Sequence, residues 1–206
     1  LGPQVRSLIK FSNMTRSNKG PKPSMDHFNF EPDIEKTGKI TQVLKSNQQV
    51  VVQIAKEPIS TKGPRISSEL SFAGRSLVLV PFSNRISISQ KIKSSEERKR
   101  LKRLILSIKP KNFGVIIRTV AENKMVAELD TDLRNLTEKW NTLIKKLASA
   151  KAPQKVVSEL DRTSALLRDI LTESFNSINV NDQVLAEEIK HYIGTIAPKK
   201  VEIVKL

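Results

Sequence analysis

Two stretches decide how this chain folds: Lys56–Pro81, KEPISTKGPRISSELSFAGRSLVLVP, and Gly114–Thr119, GVIIRT. The first reads as a basic β-ribbon that passes through a glycine-centred turn at Gly74 into the short apolar strand Leu77–Val80. The second lies in the continuous apolar run Phe113–Val120, the pattern of a strand buried on both faces, and it delivers Arg118 and Thr119 to that strand's exit. Arg offers a planar fork of donors matched to two phosphate oxygens, and Thr adds a hydroxyl and its own N–H. Together they suit a terminal phosphate. The competing reading is a strand-end arginine paired with an acid such as Glu122.

Ahead of these stretches, residues 12–38 carry Pro21, Pro23, Pro32, Gly20 and Gly38 among Ser and Asn, which predicts a long irregular loop. From Ile40 the chain leads into VVVQIAK (50–56), whose β-branched residues predict a strand, and Gly63–Phe72 alternates with Ile66, Leu70 and Phe72 on one side. Several short strands with a basic face fit a barrel of the OB type. Ser94 and Glu97 have capping-box spacing ahead of Leu101, Leu104, Ile105 and Ile108, with Arg98, Lys99, Lys102 and Arg103 on the other surface. That amphipathic helix ends before Pro110. A longer one follows along Leu129, Leu133, Leu136, Trp140, Leu143 and Leu147. Strands at 155–160, 176–180 and 201–205 and helices at 163–171 and 182–195 complete an alternating α/β pattern.

Charge is unevenly placed. The net charge is +15, and residues 1–112 hold 22 Lys and Arg against 8 Asp and Glu, a net of +14. Such a field attracts a polyanion, and each phosphate contacted releases counterions, so binding weakens as salt rises. An anionic membrane surface is the rival. It requires a basic amphipathic helix, whereas these basic residues fall largely on strands and loops. No apolar run reaches the about 20 residues that cross a bilayer. There is no cysteine, which excludes a disulfide framework or a cysteine-bound zinc within these residues. A cytoplasmic chain is expected. It opens on Leu1 and closes on the strand-like VEIVKL, so both ends are expected to be cut from something longer.

Other candidates give little chemistry. His27 and His191 stand far apart without ligand spacing, and Trp140 falls on its helix's apolar stripe. Asp130 and Asp132 are two apart and so point to different helix faces, where they are expected to serve as acidic first turns. No Walker loop, Gly-x-Ser-x-Gly or dinucleotide fingerprint occurs, and no catalytic residue or metal site is assigned.

The Lys56–Pro81 and Gly114–Thr119 stretches resemble the ribonuclease E/G family, the likeness being densest from Lys56 to Trp140. It implies an α+β chain in three parts. Residues 1–68 would be a partial S1-like (OB-fold) RNA-binding barrel with the irregular loop 12–38. Residues 69–161 would be a 5′-sensor α/β sandwich, and 162–206 the start of a ribonuclease H-like region. By the resemblance, Arg118 and Thr119 hold the 5′ monophosphate of a single-stranded RNA, with backbone contacts at Gly74 and Val78. Where the family often has Arg-Arg-Ile, this chain has Gln90, Lys91 and Ile92. Gln90 carries no positive charge, so either Lys91 replaces it or 5′-end discrimination is weaker. Lys62 matches an RNA-contacting lysine of the family's S1 domain, with Lys56 and Arg65 beside it. Phe11 is the expected stacking platform, and Phe28 and Phe30 equally fit as loop staples. The parent would be a magnesium-dependent endoribonuclease, a homo-oligomer sharing a structural zinc, with catalytic aspartates and zinc-binding cysteines beyond this segment. Two rivals stay open: a non-catalytic RNA-binding adaptor, and a protein-interaction scaffold whose basic half docks an acidic partner.

Overall fold

The computed structural model describes residues 39, 41, 44–158, 162–171 and 174–206, together with the backbone of 9–10 and 29–30. It is a mixed α+β chain in two compact units, Leu1–Val156 and Val157–Leu206.

The first unit is organised on a four-stranded sheet. Its strands are β5 (Phe72–Ala73), β6 (Leu77–Pro81), β7 (Ile86–Ile88) and β8 (Phe113–Ile117), in the order β5-β6-β8-β7. β5, β6 and β8 pair antiparallel, while β7 runs parallel to β8 and is joined to it through helix α1 (Ser95–Ile108). Two shorter antiparallel pairs precede the sheet: β1 (Ile9–Lys10) with β2 (Asn29–Phe30), and β3 (Gln53–Lys56) with β4 (Arg65–Ser67). These described pairs do not close a barrel. The strand expected over 50–56 begins only at Gln53, and the one expected from Gly63 to Phe72 is broken into β4 and β5.

Helix α1 starts where Ser94, in an extended conformation, accepts the Glu97 amide at 3.2 Å. The reciprocal half of a capping box is replaced: the Glu97 carboxylate instead takes Arg100 at 2.6 Å and the Asn123 amide at 2.9 Å. At the far end Pro110 excludes helical geometry from Lys109, whose ψ is 138°. Helix α2 (Val126–Leu147) buries Leu129, Leu133, Leu136, Trp140, Leu143 and Ile144 and packs on β5 and β6. Trp140 meets Phe72, Phe82 and Phe113 edge-on, with ring centroids 5.3 to 6.1 Å apart. That geometry suits the aromatic quadrupole, and it makes Trp140 the centre of this core.

The sheet alternates as a sheet with one covered face should. Leu77, Leu79, Phe113, Val115 and Ile117 are buried, while Ile116 is 41% exposed and Val78, its partner in register, is half-buried. The reading of 113–120 as a strand buried on both faces is thus corrected. A continuous apolar run does not report which of its residues face a partner layer. The strand also ends at Ile117, since the amides of Ala121 and Glu122 turn back onto the carbonyls of Arg118 and Thr119.

The second unit has α3 (Arg162–Ile170), β9 (Ile178–Asn179), α4 (Gln183–Ile196) and β10 (Val204–Lys205), with β9 and β10 parallel. Asp182 caps α4 by accepting the Leu185 amide at 2.7 Å. Its core is Leu167, Leu171, Ile189, Ile193 and Val204. Of the strand expected over 201–205 only Val204–Lys205 forms; residues 201–203 belong to a 3-10 helix, Pro198–Ile203, begun by Pro198. Residues 155–158 are coil rather than strand, having no pairing partner among the described residues.

Candidate functional site: the exit of the central strand

β7 and β8 run side by side and end at the same edge, where two loops leave the sheet. Crevices at such strand ends are a common place for ligands in α/β folds. The last antiparallel rung, Arg118 N–H to the Ser76 carbonyl at 2.9 Å, fixes Arg118 beside the turn between β5 and β6. Being two residues past Ile116, Arg118 falls on the open face. Its Nη1 donates to the Gly74 carbonyl at 2.9 Å, so the guanidinium is anchored to backbone across 44 residues of sequence. Glu122, the acid named as a competing partner, is exposed, and its amide closes the turn on Thr119.

Thr119 is fixed from the opposite side. Its hydroxyl lies 2.9 Å from that of Ser89, the residue following β7, and either oxygen can donate. Ser89 is held by its amide on the Ile117 carbonyl at 2.9 Å, and its carbonyl accepts Arg98 Nη1 at 2.7 Å. Arg98 Nη1 also reaches the Ile92 carbonyl at 3.2 Å, and the Lys91 amide donates to the Ser89 hydroxyl at 3.3 Å. Arg98 therefore pins the 89–92 loop rather than simply covering the outer surface of α1. The Lys91 side chain stays exposed on that loop. A second clamp secures the chain beyond Thr119: Glu97 grips Arg100 and the Asn123 amide, and Arg100 bonds the Lys124 carbonyl. The hydrogen bonds from Arg100 hold the Glu97 carboxyl below its ordinary value of 4.5, and the guanidinium is stabilised in return.

Asp132 is the unexpected member. Its carboxylate accepts the amides of Arg75 at 3.3 Å, Ser76 at 2.8 Å and Leu77 at 2.9 Å. Asp130, two residues earlier, pairs instead with Arg134 at 2.7 Å. The two acids do point apart, but neither lies in the first turn of α2, where the acid is Glu128. Gly74 has no room for a side chain, since a Cβ there would stand 2.6 Å from Asp132 Oδ1. The sheet thus brings together Gly74, Val78, Arg118, Thr119 and the backbone of Lys91, and adds Ser89, Arg98 and Asp132.

The basic residues assigned upstream gather on one ribbon. Ile59 and Lys62 exchange both backbone hydrogen bonds, at 3.1 and 3.0 Å, closing a tight turn with Ser60 at φ 52°. This sets Lys62 at the tip, and Lys56 and Arg65 are direct cross-strand partners; all three are exposed. Like charges placed opposite one another cost stability, which a polyanion lowers. The Gln53 side chain ties the ribbon to the sheet by accepting the Ser71 amide at 2.8 Å and donating to its carbonyl at 3.1 Å. Phe11, Phe28 and His27 lie outside the described residues, and Phe30 is placed by its backbone alone. His191 is exposed on α4. No group of three or more His, Cys, Asp and Glu suited to a metal occurs among the described residues, and no described helix is long and apolar enough to cross a membrane.

The amino-acid sequence has recognisable relatives. The ribonuclease E/G family pattern matches residues 71–206. The chain is 35% identical over 154 residues to ribonuclease E of Nostoc, covering 75% of this chain and 22% of that protein. It is 34% identical over 156 residues to the ribonuclease E/G-like protein of Pyropia yezoensis, covering 76% and 31%. With ribonuclease G of Escherichia coli it shares 28% over 160 residues, covering 78% and 33%. The chain belongs to the ribonuclease E/G family, and it matches between 22% and 33% of the length of these relatives.

Proposed function

We propose that this chain is the RNA-binding, 5′-monophosphate-sensing part of a ribonuclease E/G-type endoribonuclease. The observation that carries the reading is the pair Arg118 and Thr119 at the exit of β8. One is bonded to the Gly74 carbonyl and the other to the Ser89 hydroxyl, so two donors of different kinds are fixed at one strand end. A 5′ monophosphate carries roughly −1.5 to −2 charge and three acceptor oxygens, which match a guanidinium, a hydroxyl and a nearby lysine, here Lys91. The β3–β4 ribbon, with Lys56, Lys62 and Arg65 exposed, is the non-specific contact to the following phosphates, in the manner of an S1-like barrel. Residues 69–161 act as the sensor in this reading, and 162–206 begin a ribonuclease H-like region. In this reading RNA cleavage, with the magnesium and zinc that the family resemblance implies, belongs to the part of the relatives' length that these 206 residues do not match. In this chain the RNA is held and not cut.

The test compares two RNAs of one sequence, one 5′-monophosphorylated and one 5′-hydroxyl. The wild-type chain binds the monophosphate form more tightly, and Arg118→Ala removes that preference, a charged hydrogen bond being worth about 1.5–3 kcal/mol, or roughly ten- to hundredfold. Equal ratios in wild type and Arg118→Ala refute the assignment.

A further inference from the structure

The turn joining β5 to β6 is built around a bond it does not make in the usual way. Residues 74–77 have the form of a two-residue hairpin, whose end pair ordinarily exchanges two hydrogen bonds. Here the Gly74 amide donates to the Leu77 carbonyl at 2.8 Å, but the return partners are both diverted. The Leu77 amide goes to Asp132 Oδ2 at 2.9 Å, and the Gly74 carbonyl accepts Arg118 Nη1 at 2.9 Å. A carboxylate takes the donor, and a guanidinium takes the acceptor. Asp132 also accepts the Ser76 and Arg75 amides, and it fills the space above Gly74 that a Cβ would need.

We infer that Asp132 is a positioning residue for the phosphate site: by drawing off the amides of 75–77 it frees the Gly74 carbonyl to anchor Arg118. It has a second effect on the same site. Three successive amides form an anion-binding nest, and a carboxylate already lodged there leaves an incoming phosphate to Arg118 and Thr119. The proposal rests on the phosphate-sensing reading above and adds the element that holds its arginine in place. Asn is the informative replacement, since it keeps the shape and one acceptor oxygen but turns an NH2 toward amides that need an acceptor.

The experiment uses the 206-residue chain, the same RNA pair, and the variants Asp132→Asn, Arg118→Ala and their combination. Asp132→Asn is expected to lower the monophosphate preference about tenfold while leaving affinity for 5′-hydroxyl RNA unchanged. A purely structural role would weaken both RNAs together. The double variant is expected to match Arg118→Ala alone, because coupled residues are not additive. If wild type and Asp132→Asn show the same preference and Arg118→Ala loses it, the inference falls while the phosphate site stands. If wild type shows no preference, both fall. Should Asp132→Asn fail to fold, titrating uridine 5′-monophosphate into 15N-labelled wild type decides. Movement at Thr119 with the Ser76 and Leu77 amides still supports the inference, and movement centred on those two amides overturns it.

Discussion

Adding a single methyl group at Gly74 is a sharp probe of this architecture. The Cβ of Gly74→Ala would lie 2.6 Å from Asp132 Oδ1, 2.8 Å from Oδ2 and 2.9 Å from Cγ. Since φ at Gly74 is not positive, the cost is one of space and not of backbone strain. To reach ordinary contact the carboxylate has to retreat by about 1 Å, which stretches the bonds to Ser76 and Leu77 past useful length. Asp can rotate away, but only by giving up those amides. Hydrogen bonds to a charged group contribute about 1.5–3 kcal/mol each, and the half-buried site lets water recover part of that, so a net loss of about 2–4 kcal/mol is expected. For a domain of this size that is a fall in Tm of roughly 5–12 °C. The assay is urea unfolding of wild type, Gly74→Ala, Asp132→Ala and the double variant. Once the carboxylate is gone the methyl has nothing to displace, so the double variant should be no less stable than Asp132→Ala. A Gly74→Ala cost within about 0.5 kcal/mol, the range of an ordinary surface change, would show that the carboxylate is not pinned above the turn. So would simple additivity in the double variant.

Two further outcomes can be measured on the same chain. Lys62→Ala combined with Arg65→Ala should flatten the salt dependence of RNA binding, by about one unit of log–log slope for each phosphate no longer neutralised; an unchanged slope would mean the ribbon is not the RNA-facing surface. Glu97 has a folded-state pKa lowered chiefly by its hydrogen bonds to Arg100, so the unfolded chain binds the extra proton in acid. Its contribution is present above the ordinary value of 4.5 and is lost as pH falls through the lowered one. Glu97→Gln should therefore be less stable than wild type at neutral pH and converge with it in acid, as read by Tm against pH. A constant gap would remove Glu97 from the clamp.

The helices were legible in the sequence because each carries its own signal. Ser94 before an apolar 3.6-period, Pro110 after it, and the stripe from Leu129 through Trp140 to Leu143 are all local patterns. The place of Arg118 and Thr119 just past a strand was legible for the same reason, as polar residues at the end of an apolar run, whereas the phosphate role proposed for them comes from the family resemblance. What escaped the sequence is everything that depends on pairing. Strand β7 is three residues long and looks like loop until Ile86–Ile88 lies beside Val115–Ile117. Asp132 sits one residue before the buried Leu133, and nothing in its neighbourhood refers to amides 55 to 57 residues upstream. Ser89 and Arg98 act through carbonyls and hydroxyls that only the fold brings near. Likewise the exposure of Ile116 follows from which face α2 covers, a fact the run FGVII does not encode.

Gln53 forms a junction of another kind. Its amide group bonds both backbone partners of Ser71, so a side chain imitates the rung that a neighbouring strand would supply. A junction formed by backbone pairing is written into topology and survives most substitutions; one formed by a side-chain amide can be erased or restored by a change in a single codon. The grip between the cationic ribbon and the strand that leads to Gly74 is accordingly open to mutation without any alteration of chain path.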